Sequence, residues 1–200
     1  MGDFAGASNG PEGGPVPVPA VRRDALLWKL TGLSEYDVRR PLTTTGTNLL
    51  GLVKHATAVE LGYLCATFDR PTIRPLPWGN TDVEPGSDLW ATSGESQEQI
   101  VDQYRQAWTQ ADSTINNVSL DTFGRVPWWP ADDNEVTLHH ALVRVIADTH
   151  RHAGHADILR EQLDGSVGMN EGNLSTTLLD AGDRDQQRSR LERIASRLGA

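Results

Sequence analysis

The sequence predicts an all-α protein, an antiparallel four-helix bundle with long Pro- and Trp-rich loops and a short C-terminal helix. Three observations predict it. Four segments carry apolar residues at helical spacing, no stretch shows the alternation of a strand, and proline and glycine gather between the periodic segments rather than inside them. At 200 residues the chain is long enough to bury a core of its own.

The elements follow in order. Residues 1–19 hold five Gly and four Pro and almost nothing to bury, so they read as a disordered leader. Leu26, Leu27, Leu30 and Leu33 recur at helical spacing and give a first helix over about 20–32. Ser34 with Asp37 three residues later resembles a capping box and predicts a helical turn before Pro41. Thr47 is placed to cap a second helix, with Leu49, Leu50, Leu52, Val53, Ala56, Val59 and Leu61, as far as about Phe68. Pro71, Pro75, Pro77 and Pro85 punctuate residues 69–91, a connection too long for an ordinary loop and suited to a binding loop or lid. A third helix runs from Glu95 to near Asn117 behind the capping candidates Thr92 and Ser93, with Ile100, Tyr104, Ala107, Trp108 and Ala111 as its apolar stripe. After a loop containing Val126-Pro127-Trp128-Trp129-Pro130, the fourth helix spans Thr137 to about Leu163, with Gly165 as its stop. Residues 166–182 are polar and Gly-rich, and 183–198 form a charged terminal helix. The expected organisation is a leader over 1–19, a bundle over 20–165 and an extension over 166–200.

Composition narrows the function. The net charge of −9, from 27 acidic against 18 basic residues, leaves no basic stripe through which counterion release would drive nucleic-acid binding. No apolar run approaches about 18 residues, so no membrane crossing is expected. One cysteine, Cys65, excludes an internal disulfide framework, and the chain does not open with a signal-like pattern. A cytoplasmic location is expected.

Histidines carry the chemistry. They stand at 55, 139, 140, 150, 152 and 155, and helical geometry separates those of the fourth helix. With Asp148 as origin, His152 lies about 40° to one side and His155 about 20° to the other, while His150 points about 160° away. Asp148, His152 and His155 thus share a face with Ala141, Val145 and Leu159. His55 sits on the row Leu52, His55, Val59, Gly62 of the second helix. Two readings stand side by side. A histidine on an apolar face is commonly a satisfied core residue. A divalent ion, however, satisfies two imidazoles and a buried carboxylate together, because an acid and a histidine four apart on one helix plus a histidine from a facing helix make three ligands with open positions.

Three segments carry a family resemblance: T-x-x-x-L-x-x-L-V-K-H-A-T-A-V-E-L-G-Y around His55, the loop V-P-W-W-P, and A-D-T-H-R-H-A-G-H-A-D-I-L-R-E from Ala147 to Glu161. They resemble the DinB-like superfamily over about residues 21–165, and are most similar to its actinobacterial branch of unknown function, related to the mycothiol-dependent maleylpyruvate isomerases. The resemblance implies a bundle holding a divalent ion, zinc or nickel, on one histidine of the second helix and two residues four apart on a later one. Those positions are His55, Asp148 and His152. The second ligand is histidine or glutamate elsewhere in the superfamily; Asp148 is one methylene shorter than glutamate and must reach further.

His155 matches a histidine frequent in relatives and fits a supplementary ligand, a partner of a ligand, or the catalytic acid/base group. The resemblance also implies mycothiol as co-substrate, activated as thiolate for transfer to, or isomerisation of, a small electrophile. Trp78, Trp128 and Trp129 would then wall the acceptor cleft, with a packing plug as the plain alternative for the Trp pair. Arg144, one turn before Asp148, would hold a carboxylate or phosphate, or serve as a surface arginine. The expected partners are thus a small molecule and a thiol, with a homodimer common among such bundles. Two other functions compete: a metal-dependent hydrolase with His155 as general base, and a non-catalytic stress-related binding or dimerisation bundle. All metal readings require the side chains of His55 and His152 to lie within about 7 Å of each other.

Overall fold

The structure, a computed structural model, describes residues 18–78, 82–170 and 181–198. The expected leader lies outside the described residues up to position 17, and Val18 and Pro19 already belong to a helix. The described residues form six helices, α1 (Val18–Trp28), α2 (Glu35–Arg39), α3 (Leu49–Leu64), α4 (Gln97–Asn117), α5 (Leu138–Asp164) and α6 (Ala181–Leu198). A two-stranded antiparallel sheet, β1 (Phe123–Arg125) with β2 (Glu135–Thr137), corrects the expectation of no strand. At three residues each, the strands are too short for alternation to show, and they bracket the Val126–Pro130 loop.

Most helix ends lie where local chemistry puts them. Ser34 caps α2 by accepting from the Asp37 amide, and Gly165 ends α5 in the left-handed conformation. Two caps are corrected. Asn48, not Thr47, caps α3 by accepting from Gly51 N–H, and Ser96, not Thr92 or Ser93, opens α4 in a reciprocal capping box with Gln99. In each case the rival is also a small polar residue, so only the position of the first turn decides.

Helix α3 is the centre of the packing. Every residue of it except His55 is buried, because α4 and α5 pack along it and α1 and α2 close its remaining sides. Leu49–Phe68 consequently reaches a mean hydropathy of 1.2 with 89% of that window buried inside the fold. This corrects the expectation that no segment is long and apolar enough to span a bilayer. The segment is a core helix by its burial.

The core falls into two main clusters, which fix the helix directions. Leu52, Val53 and Ala56 of α3 pack with Ile100 and Tyr104 of α4 and Ala156 and Leu159 of α5. Further along α3, Val59, Tyr63 and Leu64 pack with Ala111 of α4 and Leu138, Ala141 and Val145 of α5. Contacts therefore ascend together along α3 and α4 but in opposite senses along α3 and α5. α5 is antiparallel to α3, whereas α4 runs the same way as α3, which corrects a wholly antiparallel arrangement. Two parallel neighbours need a connection that travels back the length of the helix, and this is the physical reason for the long segment after Phe68.

Polar groups reinforce this frame. Arg23 of α1 is buried and grips Glu60 of α3 through two contacts, at 2.8 and 2.6 Å, while its third nitrogen reaches Asp112 of α4 at 2.8 Å. Burial pushes the Glu60 carboxyl up to about 7 against the pull of Arg23. Lys29 is also buried, pairing with Asp157 of α5 at 2.6 Å and donating to the Gly168 carbonyl. The segment after α5 is thereby tied back to α1.

Candidate metal centre

The two core clusters meet on α3 between Ala56 and Val59 and on α5 between Val145 and Ala156. Around this seam stand His55, Asp148 and His152. Each offers one ligand atom, and these atoms all lie within 4.8 Å of one another. The rings of His55 and His152 are 4.7 Å apart, centroid to centroid. The Asp148 carboxylate lies between them, with Oδ2 at 3.7 Å from His55 Nε2 and Oδ1 at 3.7 Å from His152 Nε2. Such distances are too long for hydrogen bonds but suit donors turned toward a common point. Asp148 reaches the centre in spite of its short side chain.

The donor set fits a divalent cation. Asp148 Oδ2 is buried without a hydrogen-bond partner, which is costly in a folded interior unless something binds there. Burial lowers the pKa of His152, and the neighbouring His55, His155 and Arg151 add to the effect against the pull of Asp148. Both effects favour the neutral imidazole, the form that ligates metal. Two imidazoles and one carboxylate make the ligand pattern of zinc and related ions.

The remaining expected site residues divide. His155 lies edge-on to His152, with ring centroids 5.3 Å apart, but on the exposed side of α5. His150, His139 and His140 are exposed, away from the centre. An unbroken run of ring contacts leads away from His55: His55 to Trp78 at 6.1 Å, Trp78 to Trp128 at 5.0 Å, Trp128 to Tyr63 at 5.2 Å and Tyr63 to Trp129 at 6.1 Å. Gly62 makes room for this wall, since a Cβ there would lie 2.7 Å from the Trp128 ring and 3.0 Å from that of Trp78. At its far end the Arg144 guanidinium rests on Tyr63 and Trp129, 5.1 and 4.8 Å from their centroids. The tryptophans are both wall and plug, because Trp78, Trp128 and Trp129 also pack against the second core cluster.

Sequence reasoning missed Asp88. It is buried in a short 3₁₀ turn, Ser87–Leu89, and its Oδ2 lies 2.5 Å from His55 Nδ1. No periodicity marks a residue in an irregular connection, and only the return path of the chain delivers it to α3. Cys65 is buried as expected, and desolvation raises its thiol to about 11, so it is no nucleophile.

A family model described as mycothiol-S-transferase matches residues 20–165, the span that carries His55, Asp88, Asp148 and His152. No curated protein matches the chain.

Proposed function

We propose, on the premise that this chain belongs to the mycothiol-S-transferase family, that it is a divalent-metal-dependent enzyme transferring a low-molecular-weight thiol, mycothiol, to a small electrophile in the cytoplasm. The observation that supports this most directly is the convergence of His55, Asp148 and His152 within 4.8 Å. On this reading α1, α3, α4 and α5 form one four-helix bundle over 20–165, with 166–200 an extension, and the ion sits between its two core halves. When bound, zinc or nickel lowers the pKa of a thiol donor and so favours its nucleophilic form near neutral pH.

The chain's own residues supply the rest. His55 and His152 hold the centre from facing helices, and Asp148 offsets the positive charge between them. His155 stands beside His152 at the exposed edge, where it takes the thiol proton and passes it to solvent. Sulfur then forms a bond to the electrophilic carbon, and the leaving group departs with its electron pair. Trp78, Trp128 and Trp129 give the acceptor an apolar surface to lie against, and Arg144, held flat by two rings, orients an anionic group on it.

The test uses full-length protein purified without a polyhistidine tag, loaded with zinc or nickel, and given mycothiol with a chromogenic aryl halide. Thioether formation that needs both metal and thiol is expected. His155→Ala should keep its metal and lose about 10²- to 10⁴-fold in turnover. Hydrolysed product in the absence of thiol would replace this reading with a water-activating hydrolase.

A further inference from the structure

Four positions along one side of α3 serve a single purpose, seating the turn Ser87–Trp90 against the helix. Gly51 leaves the space, since a Cβ there would lie 2.0 Å from the Leu89 carbonyl oxygen. Asn48 donates from Nδ2 to the same carbonyl at 3.5 Å, and buried Lys54 donates to the Trp90 carbonyl at 2.9 Å while pairing with Glu95 at 2.7 Å. His55 is the fourth, meeting Asp88 at 2.5 Å. Asp88 therefore does not reach His55 by a chance side-chain excursion. The backbone that follows it is held against α3 at the Leu89 and Trp90 carbonyls, and its side chain is only 5% exposed.

An imidazole has two nitrogens, and in the neutral ring only one bears the proton. A buried carboxylate can only accept. At 2.5 Å from Nδ1 it draws the ring proton there and leaves the lone pair on Nε2, the atom that faces Asp148 at 3.7 Å. We infer that Asp88 is the positioning residue of this centre, fixing His55 in the Nδ1–H form with Nε2 turned toward Asp148 and His152. The inference rests on the metal reading above for its purpose but not for its geometry. A carboxylate behind a ligating imidazole both orients the ring and strengthens it as a donor.

Two measurements on the full-length protein test this. Long-range ¹H–¹⁵N correlations of the metal-stripped chain at pH 8.5, above the usual imidazole range, should show His55 protonated at Nδ1 and bare at Nε2. In Asp88→Asn, whose amide is able to donate to Nδ1, the proton should move to Nε2. Zinc affinity, read by competition with a chromophoric chelator, should fall about 10- to 100-fold in Asp88→Asn and in Asp88→Ala. An Nε2–H form in the parent chain, or zinc affinity unchanged in both variants, overturns the assignment. A parent chain that takes up no zinc but shows the Nδ1–H form would sink the metal reading and leave the role of Asp88 in orienting His55 supported.

Discussion

At the scale of single residues, the centre is defined by which neighbours on α5 converge and which do not. His150 is nearer to Asp148 in sequence than His152 is, yet it is exposed, while His152 is half-buried with its ring edge-on to that of His55. His55→Ala, Asp148→Ala and His152→Ala should each cost more zinc affinity than the about 100-fold expected for losing a ligand's partner, whereas His150→Ala should bind normally in the same chelator competition. Glu60 makes a second prediction. Its carboxyl stands at about 7 in the fold against 4.5 unperturbed, so the native state binds the proton more tightly than the unfolded chain. The stability this contributes is full below about pH 4.5 and is lost as pH rises through about 7, a matter of at most a few kcal/mol. Thermal midpoints should therefore decline over that window, and Glu60→Gln should flatten the decline. The convergence of residues on regular helices is legible: that His55, Asp148 and His152 come together follows from helical spacing joined to the family resemblance. Asp88 is not, because an irregular turn carries no period and its partner lies 33 positions back in the chain.

At the scale of elements, α3 shows how far packing overrides composition. A helix buried on all sides has no polar face to announce its orientation, so the sequence marks it as central without saying what runs beside it. The direction of α4 relative to α3 was legible only indirectly, through a connection far longer than a hairpin of helices requires. β1 and β2 were illegible, their six residues fixed by cross-strand pairing around the Trp loop rather than by local preference. Gly51 tests the coupling between elements. Replacing a helical glycine by alanine ordinarily stabilises a helix, by up to about 0.5–1 kcal/mol in its middle. Here the new Cβ would fall 2.0 Å from the Leu89 carbonyl oxygen, and a backbone atom cannot rotate away. Gly51→Ala should invert the usual sign, lowering the thermal midpoint and, by displacing the turn that bears Asp88, weakening zinc binding without touching a ligand. Unchanged zinc affinity in a folded Gly51→Ala protein would show that the turn and the centre are uncoupled.

At the scale of the molecule, the candidate centre occupies the seam between two core clusters, with one candidate ligand from α3 and two from α5. An ion bound there would tie the helices together where direct apolar contact is interrupted by polar side chains. The cluster carries an energetic penalty in its absence, since Asp148 Oδ2 is buried without a partner. A ligand that binds only the native state adds RT ln(1 + [L]/Kd), or about 2.7 kcal/mol at a hundredfold excess over Kd. For a chain of this size each kcal/mol moves the midpoint by about 2–4 °C, so saturating zinc should raise it by roughly 5–10 °C. The same addition to His55→Ala should raise it far less, because without the α3 side chain the site binds zinc too weakly to fill at the same concentration. Calorimetric scans of the two proteins with and without zinc make the comparison. An equal rise in both would mean that the metal stabilises the fold from somewhere other than this seam.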